Sequence, residues 1–155
     1  MLILSIVAIS GCTQSDIGNI NGLSSTINDH LKKGDDFYNK AVYDTNSFDL
    51  SNATFNANSA LSEFNSAKTS AQQALTSAQN SKDSVLIEYM QNTMGEIDSR
   101  VNATLELQQA INYFQQKDSV TGNNHVSLAN RYMDRSTDYK SKNDKIVEQN
   151  PSKFK

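Results

Sequence analysis

The chain is poor in the residues that staple, kink or clasp. Cysteine occurs once in 155 residues, proline once, and tryptophan not at all. A lone cysteine, Cys12, excludes an internal disulfide and any zinc site built on paired cysteines. The lone proline, Pro151, leaves everything before it free of the residue that breaks a helical hydrogen-bond ladder. Charged residues make up only 20% and the net charge is −3, so no basic field exists to attract nucleic acid. The one strongly apolar run, Leu2 to Ile9, is closed by Thr13-Gln14-Ser15-Asp16, well short of the ~20 residues a spanning helix needs.

Catalytic signatures are also missing. His30 and His125 are the only histidines. Neither stands in a Glu-x-x-His pair or a Cys-x-x-Cys-His haem site. There is no Ser-His-Asp order and no phosphate-cradling glycine loop. Glu88, Glu96 and Glu106 recur at near-helical spacing, but Asp98, Arg100 and the neighbouring glutamines mark a solvated face. No metal, cofactor or catalytic activity is expected. His30 reads as an edge histidine and His125 as a first-turn helix residue.

What the chain has is helical periodicity. The length supports one domain. Ser24 or Ser25 can cap a first helix, in which Leu23, Ile27, Leu31, Gly34, Phe37 and Ala41 mark one face. Gly34 sits on that stripe, which suits a close helix contact. Thr45-Asn46-Ser47 interrupts the pattern, and Asp49 or Ser51 can cap the next helix. From about 51 to 80 the repeat is seven residues long, with Ala57, Phe64, Ala71 and Ala78 on one seam and Ala60, Ala67 and Ala74 on the other. So short a seam permits close packing and also suits self-association through this second helix. Asn80 to Asp83 is a turn, and a third helix runs to about Lys117. Its stripe is Leu86, Met90, Met94, Ile97, Val101, Leu105 or Thr104, Gln108 and Ile111, and Ala103, Leu107, Ala110 and Phe114 widen it. Asp118 to Asn124 reads as a loop. A fourth helix carrying Val126, Ala129, Tyr132, Met133 and Tyr139 ends at Asn150-Pro151. The fold class is therefore all-α, an antiparallel up-down four-helix bundle over 23–149. A tandem helix-hairpin array is disfavoured, because no 34-residue self-match is present.

The N-terminus says where such a bundle would work. Residues 2–12, LILSIVAISGC, are an apolar run, then Ile9-Ser10-Gly11, then Cys12, then a polar stretch. This resembles the lipobox of prokaryotic lipoproteins, and the uncharged polar composition leans towards an archaeal member of that class. The resemblance covers residues 1–12 alone. It implies that 1–11 is a signal peptide and that Cys12 receives a thioether-linked lipid. No Lys or Arg precedes Lys32, so the basic start of such a leader is expected upstream of Met1. Residues 12–22, with two glycines in TQSDIGNING, read as a flexible tether, and 150–155 as a basic tail.

With a tether at one end, the 80–83 turn and the C-terminus fall near the membrane and the 44–52 and 118–125 loops at the far tip. Phe48, Asn123, Asn124 and His125 are the expected partner contacts there. From Lys140 onward five lysines face two acids, a local +3 that suits anionic headgroups or simply a helix C-terminus. Asn52-Ala53-Thr54 and Asn102-Ala103-Thr104 match the glycosylation acceptor pattern at Asn52 and Asn102. The expected function is a lipid-anchored, extracytoplasmic bundle that binds or scaffolds an unknown protein partner. Its alternatives are a carrier holding a small apolar ligand between the helices, and an accessory subunit of a membrane enzyme or transporter.

Overall fold

A computed structural model of the chain describes residues 13–154. Four helices follow one another: α1 Thr13–Asn46, α2 Leu50–Ser81, α3 Ser84–Gln115 and α4 Ser119–Gln149. They form an all-α four-helix bundle in which α1 packs on α2, α2 on α3, and α3 on α4. The fourth side is different. Among the described residues, no Cα of α1 comes within 8 Å of a Cα of α4.

The reason lies in α2. Ala53, Ala57, Ala60, Phe64, Ala67, Ala71, Ala74 and Ala78 are all fully buried. A methyl group at nearly every seam position lets the neighbouring backbones approach to the short end of the usual ~8–10 Å. The alanine seam is thereby used up inside the chain. A second copy could meet this seam only if α2 left α1 and α3, so a contact between copies through α2 would have to use its exposed face.

Aromatic rings seated on glycines complete the close contacts. A Cβ at Gly34 would stand 2.4 Å from the Phe64 ring, one at Gly95 2.6 Å from Tyr139, and one at Gly122 2.5 Å from Phe114. Each glycine leaves room for a ring from the adjacent helix, and any other residue would collide with it.

Connections are short and alike. Phe48, Lys82 and Lys117 adopt left-handed φ of 58°, 56° and 63°. Such a conformation costs a non-glycine residue about 1 kcal/mol. Each stands immediately before an aspartate that caps the next helix. Asp49 accepts from the Asn52 N–H, Asp83 from those of Val85 and Leu86, and Asp118 from that of Thr121. At the first and third connections the same aspartate also closes the preceding helix: Asp49 N–H donates to the Asp44 carbonyl at 2.9 Å and Asp118 N–H to that of Tyr113 at 2.9 Å.

Two expected boundaries are corrected. The tether over 13–22 is helical, because Ile20 lies seven residues before Ile27 and both are buried in the core. Packing of that stripe outweighs the two glycines, and neither Ser24 nor Ser25 is a cap; the Ser24 hydroxyl bonds back to the Ile20 carbonyl. The loop expected over 118–124 is only its first residue, since the Asp118 cap starts α4 at Ser119. The tail begins where expected, after α4 ends at Gln149, and it packs back with Phe154 against the Tyr89 ring (centroids 4.9 Å) and Lys153 paired with Asp83.

Gly34→Ala is expected to destabilise the fold by about 1–3 kcal/mol in urea titration, despite alanine's better helix propensity. Gly22→Ala, which meets open space, is expected to stabilise it by about 0.5–1 kcal/mol. The cap aspartates contribute to the loss of stability in acid. Thr121 donors hold the Asp118 carboxyl below its ordinary 3.8. Burial alone would raise Asp83, but its bonds from Lys153, Leu86 and Val85 outweigh that and hold it below 3.8 as well. Stability from lowered carboxyls is present above that value and lost as pH falls through it. The melting temperature should drop there, and less steeply in Asp83→Ala.

Candidate functional site

Two places gather polar or exposed groups that the bundle does not need for simple packing. The first is a charged cluster in the middle. Leu86, Thr93, Arg100 and Leu107 stand seven apart on α3, so Arg100 occupies a seam position. Its Nε lies 2.9 Å from Asp35 of α1, and its Nη1 lies 2.6 Å from Glu96 and 2.5 Å from the Ser136 hydroxyl of α4. The Arg100 side chain is 12% exposed and that of Glu96 10%. This corrects the reading of Glu96 and Arg100 as a solvated face.

The cluster bridges α1, α3 and α4 where the backbones of α1 and α4 stay apart. Burial pushes the Glu96 carboxyl above its ordinary 4.5, with Arg100 opposing in part. Burial would lower Arg100, but its bonds to Asp35 and then Glu96 more than offset that and keep it cationic. A raised carboxyl favours the fold most when protonated, and its contribution is lost as pH rises through the raised value. Glu96→Gln, which mimics the protonated form, should therefore be tolerated to within about 1 kcal/mol. Arg100→Met leaves two carboxylates facing each other and should cost about 3 kcal/mol or more in the same urea titration.

Small or polar residues line the inner seam of α4: Gly122, Ala129, Ser136 and Asn143 are buried at seven-residue spacing. Asn143 donates to the Thr93 hydroxyl at 3.0 Å. Buried Thr45, Thr93 and Thr104 donate to carbonyls four residues back on their own helices, so these three hydroxyls are satisfied.

The second place is the end of the bundle formed by the connections at 47–49 and 116–118. The Phe48 ring meets that of Phe114 at 5.9 Å between centroids, which joins the two connections. Phe48 is nevertheless 67% exposed, and Tyr43, Phe55 and Val120, each within two turns of this end, are 71%, 66% and 76% exposed. Among the described residues, four of the five exposed large apolar side chains lie at this end, Leu105 being the fifth. Tyr43, Phe55 and Val120 escaped the sequence reading. Their signal was present, since each lies off the buried stripe of its helix. Beside them a groove of about 210 Å³ between α2 and α3 is lined by Thr54, Asn58, Gln108, Ile111, Asn112 and Gln115.

The expected site residues scatter around this end. Asn123 and Asn124 are exposed in α4, next to Gly122 beneath the Phe114 ring. His125 is already engaged: its Nδ1 lies 2.6 Å from Glu106 and its ring stacks on Tyr113 at 5.2 Å. It is part of the α3–α4 contact rather than a free partner residue, and it lies beyond the first turn of α4. His30 makes the matching contact between α1 and α2, with Nδ1 2.6 Å from Glu63. Asn52 is exposed in the first turn of α2, where its amide donates to Asp49 at 2.7 Å. Asn102 is exposed on α3. Cys12 lies outside the described residues.

Among the described residues no helix is long and apolar enough to cross a membrane, and no three His, Cys, Asp or Glu side chains gather as a metal site would require. No family model matches the chain, and no curated protein or solved structure matches it.

Proposed function

We propose that this protein is a lipid-anchored, extracytoplasmic helical bundle that binds a protein partner through the end bearing Phe48, and that it has no chemistry of its own. The observation that carries the reading is the exposure of Tyr43, Phe48, Phe55 and Val120 at one end. That end is separated from Thr13 by the length of α1, ~50 Å for its 34 residues. The anchor rests on the lipobox-like run ending at Cys12. Because α1 begins at Thr13, a lipid on Cys12 would adjoin a rigid helix and not a loose tether. Anchor and exposed aromatics would then sit at opposite ends of one rod, which suits presentation of a tip to a partner.

The carrier alternative has less support. The cavity between α1 and α4 lined by Tyr38, Val42, Thr45, Leu107, Val126 and Ala129 holds about 20 Å³, room for a water and not for an apolar ligand.

Two measurements test the proposal. Mass spectrometry of the native protein should find a lipid on Cys12 and residues 1–11 removed; an intact N-terminus with a free thiol would refute the anchor. Phe48→Ser with Phe55→Ser should leave the melting temperature within ~3 °C, since both side chains are mostly solvated. The same pair should abolish cross-linking of a photoreactive residue at position 120 to membrane-fraction proteins. Undiminished cross-linking would refute the tip as the binding face.

A further inference from the structure

Tyr38 is a buried residue of α1, 5% exposed, and its hydroxyl has no hydrogen-bond partner among the described residues. Burial without a partner pushes its ionisation up to about 12. An orphan hydroxyl in an interior is rare, because the group loses its water and receives nothing in exchange. Tyr38 is also a wall residue of the cavity of about 20 Å³ between α1 and α4.

We propose that this cavity is a hydration site holding one ordered water, which bonds the Tyr38 hydroxyl and links α1 to α4. The volume is the first argument, since one water needs about 10–15 Å³ by this measure and a larger ligand does not fit. The second is chemistry. A buried water takes two to four polar partners, and the wall offers Thr45, Asn46 and Asn130 besides Tyr38. Thr45 Oγ1 spends its proton on the Ala41 carbonyl at 2.7 Å and keeps lone pairs to accept. Asn46 and Asn130 stand on opposite helices, α1 and α4, and each supplies a donor and an acceptor. The third is location. Because the alanine seam draws α1, α2 and α3 together, the α1–α4 side is left wide, and the Arg100 cluster bridges it only near the middle. A water at Tyr38 bridges it nearer the Phe48 end.

The experiment is Tyr38→Phe in the full chain, read by melting temperature and paired with a high-resolution crystal structure of the unsubstituted protein. With the water present, the substitution removes a satisfied hydroxyl and strands the water, so the melting temperature should fall by ~2–4 °C. A solvent peak should lie within hydrogen-bond distance of Tyr38 Oη and of a polar atom of α4. In a dry cavity the substitution removes an unsatisfied hydroxyl, so an unchanged or raised melting temperature overturns the proposal. So does a map with no solvent peak at Tyr38, whatever the variant's stability.

Discussion

The whole bundle depends on how closely α2 lets its neighbours approach. A seam of alanines contributes little per contact, because a buried methyl removes far less apolar area from water than a leucine side chain does. What it contributes is proximity. Backbones that meet over alanine bring whole helices into van der Waals contact, and Phe64 on Gly34 seals the α1–α2 face with one large ring. Dispersion between close-packed surfaces replaces the bulk of larger side chains. This suits a chain with no tryptophan and few aromatics.

Tight packing around α2 leaves slack elsewhere. Among the described residues no Cα of α1 comes within 8 Å of one of α4, and larger or polar groups occupy the side between them: Tyr38, Asp35, Arg100 and Ser136. Arg100 is well placed for that role. Its planar guanidinium reaches three helices at once and stays charged, which no shorter or softer side chain could do. Such a cluster adds little to stability over an apolar alternative, but a misregistered helix would leave its charges unpaired.

The two ends of the rod differ in finish. At the 81–83 turn, Phe154 and Lys153 fold back onto Tyr89 and Asp83, so the C-terminus covers that end. At the other, the Asp49 and Asp118 connections are built alike and are tied by Phe48 against Phe114, yet the rings remain open to solvent. One end is closed by the chain itself, and the other is left with apolar surface and a rigid base beneath it. That difference is the reason we propose the Phe48 end as the contact face.

Much was legible in the residues alone. The all-α class, the two alanine seams, the close contact at Gly34, the cap at Asp49 and the stop at Asn150-Pro151 follow from local rules, because helix propensity, capping and periodicity act over four to seven residues. The start of α1 did not follow, since glycines at 18 and 22 argue locally for a tether, and only burial of Ile20 on its neighbours overrides them. Nor did the charged cluster: Glu96 and Arg100 look solvated until Asp35 and Ser136 arrive from 65 and 36 residues away. The sequence by itself determined which segments are helices and which face of each is apolar. Only the tertiary structure decided which helix pair stays apart, which charges are enclosed and which aromatics remain outside, because each of those depends on distances between residues far apart along the chain.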